Sequence, residues 1–430
     1  MRIAIIGSGI SGLTVASHLH DIADVHVFEA GAWIGGHTNT VDVDIAGKHY
    51  AVDTGFIVFN DRTYPNFNAM LDRLGVQWQP APMTFSVRCD QTNLEYRGAD
   101  LGGFFAQRRN LLRPRFYGLL AGLLKFNKAG MQLIENGNDR QTVKEFFAEN
   151  RFSKEFYYKY FLPMGSAIWS CPQAAFESFP IRFIAEFYHH HGMLSVNNRP
   201  QWRVIRGGSK RYVEPLARPF LERIHLNQPV FAVKRNNQSV IVYSEDQDHE
   251  FDHVVFACHS DQALRLLGSG ATPEEREILG AFPYEPNETV LHTDTSILPR
   301  RRRAWAAWNY FIGNQATDKA SLTYCMNILQ ALECDQTFCV TLNNTSQIDP
   351  DKIIRRFTYS HPIFDKRRKE MQTRHADLIG PARSSFCGAY WGNGFHEDGV
   401  VSGLAVVDYL KPRIHDAQLH LQGTRTASPV

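Results

Sequence analysis

No stretch of the 430 residues approaches the run of about 20 apolar positions that a helix needs to cross a bilayer. Charge of one sign is also missing. Lys and Arg number 46 against 44 Asp and Glu, leaving +2, so the total implies neither nucleic acid nor strong attraction to an anionic surface. Cysteines are few and unpaired. Cys89, Cys171, Cys258, Cys325, Cys334, Cys339 and Cys387 form no CxxC and are odd in number, which excludes a disulfide frame and a zinc site and reads as reduced thiols. The run His189-His190-His191 lacks companion ligands, and adjacent positions point in different directions, so no metal is expected. The N-terminal apolar stretch is too short for a signal peptide and is broken by glycines; the expected location is cytoplasmic. No internal repeat stands out. An apolar fraction of 43% over this length leaves room for two domains with large cores.

What is present is concentrated at the N-terminus. A strand-like run, Arg2 to Ile6, leads into Gly7-Ser8-Gly9-Ile10-Ser11-Gly12. A helical stretch from Leu13 to His20 follows, then a second strand, Val25 to Phe28, ending on Glu29. Each part has a job in holding a dinucleotide. Gly7 permits the tight turn, Gly9 lets the backbone approach a pyrophosphate, and Gly12 allows the helix to pack on the sheet. The pyrophosphate would sit on unpaired N–H groups of Gly9, Ile10 and Ser11 at the helix N-terminus. Glu29 lies 17 residues after Gly12, where a carboxylate accepts ribose hydroxyls.

A second glycine pair follows, in Glu29-Ala30-Gly31-Ala32-Trp33-Ile34-Gly35-Gly36-His37-Thr38. NAD domains do not need it. Here the chain resembles the flavin amine oxidase and phytoene desaturase superfamily, whose signature runs from the ribose acid into Gly-Gly. The resemblance implies FAD, held noncovalently, since Cys387 is expected in a buried strand away from the ring's methyl edge. The family usually has Arg after the glycines; here His37 stands there and offers a weaker, pH-dependent contact. Asp53-Thr54-Gly55-Phe56 resembles the family's next loop, beside the isoalloxazine ring.

The C-terminal end carries a second match. Ser384 to Tyr390 reads as a buried strand, followed by Trp391-Gly392-Asn393-Gly394-Phe395-His396-Glu397-Asp398-Gly399-Val400-Val401-Ser402-Gly403 and a helical run through Leu410. This resembles the family's C-terminal flavin motif, in which a second helix N-terminus stabilises the reduced ring. By that match the backbone N–H groups of Gly399 and Val400 are the contacts, with Asp398 nearby. Between the two ends, Arg206-Gly207-Gly208-Ser209 opens a helix through Leu221. Strands then follow from Ile224 to Val230 and from Val240 to Tyr243, with a continuous apolar strand from Phe251 to Cys258. In the family this order rebuilds the FAD domain, and the main chain at Val230 meets the adenine.

The expected architecture is therefore α/β: a discontinuous Rossmann-like FAD-binding domain (1–63, 193–287, 358–430) and a substrate domain of mixed strands and helices (64–192, 288–357). Residues Leu101 to Lys128 alternate apolar side chains with Arg108, Arg109, Arg113, Arg115 and Lys125, a pattern suited to peripheral membrane contact through 101–128, although Pro114 interrupts it as a helix. Arg300 to Arg303 reads as a solvated turn. In amine oxidases proper a substrate-domain lysine serves the flavin; the matching strand, Thr289-Val290-Leu291-His292, offers His292 instead, as base or water-holder or simply as a core residue. Tyr390 and Trp391 stand where an aromatic wall over the flavin would form.

More narrowly, Asp53–Asn60, Pro299–Tyr310 and Cys387–Gly403 resemble a bacterial group of predicted flavin-containing amine oxidases often found beside fatty-acid cyclopropane synthases. That favours an unsaturated or modified acyl lipid as the substrate. Amine oxidation to imine and peroxide is the alternative, and a reduced-flavin isomerase or non-catalytic flavin-binding module is the third, since the galactopyranose mutases share the Gly-Gly pair. The residues name no electron acceptor.

Overall fold

The computed structural model describes residues 1–195, 199–245, 247–314 and 319–426. Its centre is a five-stranded parallel sheet in the order Ile224–His225, Asp24–Phe28, Arg2–Ile6, His253–Phe256, Ser384–Phe386. The middle strands are mainly apolar, apart from Arg2, Asp24, His26 and His253, because both faces are covered. Ile3, Ile5, Val25, Val27 and Val255 face one core with the helix Ile10–Leu19. Ala4, Ile6, Phe28, Val254 and Phe256 face another, closed by the antiparallel sheet Val230–Arg235, Val240–Ser244, Asp248–Phe251. The strand expected from Phe251 to Cys258 is thus two. It breaks at Asp252, whose carboxylate and N–H pair with the Arg2 backbone, and the halves join different sheets.

The C-terminal helix, His396–Thr426, crosses Ile10–Leu19 at its glycines. A Cβ on Gly399 would lie 2.7 Å from Ile10 Cγ2, and one on Gly403 would lie 2.9 Å from the Ser11 carbonyl oxygen. The backbones touch because neither position carries a side chain.

The second layer is a seven-stranded sheet: Ile353–Pro362, Tyr284–His292, Cys339–Leu342, Leu322–Cys325, Trp308–Ile312, Phe85–Cys89, Leu94–Arg97. It is antiparallel except where Trp308–Ile312 runs parallel to Phe85–Cys89. Helices between Pro114 and His190 cover it through a phenylalanine-rich core that includes Phe126, Phe156, Phe161, Phe176 and Phe179. Pro114 does not interrupt a helix. It occupies the first turn of Pro114–Asn136, where a missing N–H costs nothing.

The boundaries drawn at 287/288 and 357/358 fall inside Tyr284–His292 and Ile353–Pro362, which belong whole to the second sheet. Helix Pro65–Leu74, assigned by sequence to the substrate domain, packs Phe67, Met70 and Leu71 into the core of the nucleotide half. Its Asn66 and Phe67 N–H groups donate to the Glu397 carboxylate at 3.0 and 2.9 Å, a side-chain cap reached from the C-terminal helix. A short sheet of Val58–Asn60, Trp202–Ile205 and Trp78–Pro80 ties the halves together. Among the described residues no helix is long and apolar enough to cross a membrane.

The helix crossing sets an expectation. Gly403→Leu should cost about 1–3 kcal/mol, because the Ser11 backbone has nowhere to retreat. Urea unfolding should show it, and an unchanged midpoint would mean that the helices separate without penalty.

Candidate active site

Gly7 adopts φ +107°, and a Cβ there would sit 2.8 Å from the Ala257 carbonyl oxygen; a Cβ on Gly12 would strike the Gly7 carbonyl oxygen at 2.1 Å. Both glycines serve internal packing. Gly9 differs: nothing lies within 4 Å of its would-be Cβ, and it borders a cavity of about 1480 Å³. No side chain caps the helix that begins at Ile10, so its first N–H groups are left for a ligand. Glu29 is fixed at the same wall by Ser8, whose N–H and Oγ donate to Oε2 at 2.9 and 2.6 Å, and by the Gly31 N–H, which donates to Oε1 at 2.8 Å.

Of the expected cofactor residues, Gly7, Gly9, Ile10, Ser11, Glu29, Ala30, Gly35, Gly36, His37, Gly55, Phe56 and Val230 line this cavity. Gly12, Thr38, Asp53 and Thr54 do not; they stand behind the wall. Asp53 accepts from Thr40 Oγ1 at 2.6 Å, from the Ser209 N–H and Oγ at 2.8 Å each, and from Gln330 Nε2 at 2.9 Å. It clamps the Gly207-Gly208 turn to the loop that carries Gly55. Burial pushes its carboxyl up to about 6, against the hydrogen bonds from Thr40 and Ser209. Thr54 Oγ1 meets the Tyr359 hydroxyl at 2.9 Å. Thr38 Oγ1 meets the Tyr212 hydroxyl at 2.6 Å, which in turn meets His396 Nε2 at 2.8 Å.

The second helix N-terminus also reaches the cavity, but three to four residues earlier than expected. Asn393, Gly394, Phe395 and His396 line it. The Gly399 N–H already bonds the Phe395 carbonyl inside the helix, Gly399 packs on Ile10, and Val400 is buried in the core. Asp398 accepts from the Phe395 N–H at 2.8 Å and steadies the turn. Residues 393–396 border the cavity where Gly399 and Val400 were expected, because the helix starts at His396.

Two candidate catalytic residues lie elsewhere. His292, at the far end of its strand, bonds Thr341 Oγ1 at 2.7 Å through Nε2 and accepts the Asp294 N–H at 3.1 Å; it is absent from the cavity wall. Trp391 stacks on His375 at 4.2 Å, also off the wall. Only Tyr390 is on it, buried, with no hydrogen bond to its hydroxyl.

Sequence reading missed a group of imidazoles on the wall. His37 lies 5.5 Å from His361 and 6.1 Å from His259, ring to ring. His361 meets the Asn287 side-chain amide at 3.0 Å, and His396 stacks on Phe56 at 3.5 Å. Burial, then His361, His259 and His396, holds His37 well below the usual imidazole value. The residue in the arginine position is therefore a neutral donor or acceptor. Strand position alone gave no signal for this group, because His259 and His361 come together only through the sheet ends.

Beyond the nucleotide loop the cavity continues between the helices and the second sheet. Met83, Phe85, Leu119, Leu123, Tyr160, Met164, Ile168, Trp169, Phe187, Trp308 and Tyr324 line this branch, which reaches Leu101 and Leu120 at the surface.

A dinucleotide loop, a second helix end and one long shared cavity define a two-domain flavoprotein oxidoreductase fold. The chain matches the model of the family described as flavin-containing amine oxidoreductase over residues 10–294 and belongs to that family. It is a flavin-dependent oxidoreductase. A comparison with curated protein sequences gives no match. Cyclohexylamine oxidase from Brevibacterium oxydans IH-35A superposes with a TM-score of 0.67 at 16% identity, over 95% of this chain and 99% of that one. A fatty acid isomerase from P. acnes that produces CLA gives 0.65 at 15%, over 96% and 98%. A putative protoporphyrinogen oxidase from Exiguobacterium sp. 255-15 gives 0.65 at 13%, over 96% and 99%. At such identities the similarity carries the fold.

Two outcomes are expected of this site. Gly9→Val fills the open cradle without touching the core. The purified variant should lose visible flavin absorbance and unfold at the midpoint of flavin-stripped wild-type protein; retained flavin would show that the loop does not hold the dinucleotide.

The second concerns acid. Burial lowers His191, His292, His361 and His375 to about 4, and His253 and His396 to about 3. It raises Asp53 and Asp398 to about 6. Below pH 6.5 the unfolded chain takes up protons on histidines that the fold keeps neutral, so stability falls. Asp53 and Asp398 protonate first in the folded state and oppose the trend. Six groups outweigh two, and the midpoint should drop between about pH 7 and about pH 4.5. A flat profile would contradict the buried neutral histidines.

Proposed function

We propose that the chain binds FAD noncovalently and oxidises a C–H bond of an acyl lipid held in the apolar branch of the cavity. The observation that carries this reading is the charge of the wall. Among the described lining residues the only carboxylates are Glu29, at the nucleotide loop, and Asp100, at the surface rim, while Arg199 is a cation on the branch near Tyr160. An ammonium substrate would meet no counter-charge there. A hydrocarbon chain meets Leu, Met, Phe and Trp side chains, and its transfer from water is favourable by about 0.8 kcal/mol per CH₂.

The residues fit FAD: the open cradle at Gly9, the anchored Glu29 carboxylate and two helix N-termini address one space. Bound FAD would supply the acceptor for the hydride equivalent. The protein orients the chain, excludes water through the phenylalanine-rich core, and keeps His361 and His37 neutral beside the site. Cys387 is fully buried and off the wall, which removes that thiol as a point of attachment.

Anaerobic mixing of flavin-loaded protein with unsaturated or cyclopropane acyl lipids should bleach the oxidised flavin, and mixing with alkylamines should not. Leu123→Trp, which obstructs the branch, should raise KM for long chains by about tenfold or more and leave flavin content intact. Bleaching by amines alone would replace this reading with amine oxidation. Turnover only by pre-reduced protein, with no acceptor consumed, would replace it with isomerisation.

A further inference from the structure

The helix Pro114–Asn136 buries Phe116, Leu119, Phe126 and Leu133 on one side. On the other, Tyr117, Leu120, Leu124 and Met131 stay exposed. At 100° per residue these four fall within a narrow stripe, so they form one apolar face rather than scattered residues. The preceding segment extends it: Leu101 is 76% exposed and Leu112 is 88% exposed. Six large apolar side chains thus face water on two consecutive segments, and exposed apolar patches rimmed by polar residues mark interaction sites.

The charge around this face is of one sign. From Leu101 to Ile134 the chain has no Asp or Glu and carries Arg108, Arg109, Arg113, Arg115, Lys125 and Lys128. None of the four arginines forms an ion pair among the described residues. Burial, then the charges of Arg113 and Arg301, lowers Arg109 from its ordinary value, which places Arg301 on the same side. Leu101–Phe104 packs against Arg302–Ala304, bringing the second basic cluster to the rim. Asp100 is paired with Arg97, and Glu95, which also faces Arg109, and Asp90 are paired with Arg301 and Arg300. The sum is an apolar stripe edged by cations.

The cavity opens here. Leu101 and Leu120 belong both to its wall and to the exposed face, and Phe104, Leu119 and Leu123 continue inward. We infer that the face formed by Leu101 to Leu124 and Met131 docks on an anionic lipid bilayer, with the mouth of the cavity turned toward the acyl chains. The leucines would insert at the headgroup–acyl boundary while the arginines meet lipid phosphates. A second copy of the chain is a poorer occupant. A twofold contact across this face would set its own arginines against one another. Docking goes beyond the lipid-oxidation reading and is measured without turnover, so the two fail separately.

The test uses full-length, flavin-loaded protein and sedimentation with vesicles of phosphatidylcholine, with or without phosphatidylglycerol. Binding to the anionic vesicles should exceed binding to the neutral ones by about tenfold or more and should weaken with salt. Leu112→Ser with Leu124→Ser, and separately Arg108→Glu with Arg113→Glu, should each lower it by a similar factor. None of these four residues lines the cavity, so thermal midpoint and flavin content should stay unchanged. Absence of binding to either vesicle overturns the inference, as does binding that both pairs of substitutions leave intact. So does a dimer in light scattering that the leucine pair converts to monomer without any vesicle binding.

Discussion

The contact between two helix backbones, Ile10–Leu19 and His396–Thr426, governs the rest of the molecule. Gly399 and Gly403 let the C-terminal helix lie directly on Ile10, Ser11 and Thr14. That crossing brings two N-termini from opposite ends of the chain to one cavity, each with N–H groups that no helical carbonyl satisfies. Glu397, one turn from the crossing, caps a third helix at Asn66 and Phe67. A side chain at either glycine would part the helices and change the spacing of the groups that face the ligand.

Around that contact, polar residues hold the cavity wall from behind. Asp53, Thr38 and Thr54 join the glycine turn at 207–208, the Tyr212 and Tyr359 hydroxyls and His396 into buried networks. Their bonds fix loops that have little regular structure of their own. The wall itself is neutral where an arginine would have made it positive, since burial and the neighbouring imidazoles of His361, His259 and His396 hold His37 well below the usual imidazole value. A neutral imidazole at this position offers a hydrogen bond rather than a charge.

Much of the nucleotide half was legible because its signals are local. Glycines at 7, 9 and 12 followed by Glu29 describe one strand–turn–helix–strand unit: Gly7 and Gly12 have a visible steric reason and Glu29 a hydrogen-bonding one, while Gly9 opens onto the cavity. The C-terminal motif was legible in place but displaced in register: a glycine that looked like a ligand contact is a helix-packing contact. His292 and Trp391 failed for a different reason. Their assignment depended on which end of a strand, or which side of a short turn, faces the cavity, and that is settled by pairings such as His292 with Cys339 across sheets of distant residues. The cluster of His37, His259 and His361 left no trace for the same reason. The boundaries at 287/288 and 357/358 cut through strands that belong whole to the second sheet, because no change of composition marks where those strands begin and end.

The order of the sheet has a kinetic meaning as well. The segment from Gly388 to His396, which follows the edge strand Ser384–Phe386, is the last part of the cavity wall to leave the ribosome, yet it faces a site whose first wall includes Gly7, Gly9, Ile10 and Ser11. Nearly the whole chain must be synthesised before both helix ends exist together. The dinucleotide-binding unit thus spends most of translation with one flank of its sheet unpaired, and long-range closure of this kind is slow compared with local folding. A chain truncated before residue 384 would keep the glycine loop intact and lack the surface against which the ligand is held.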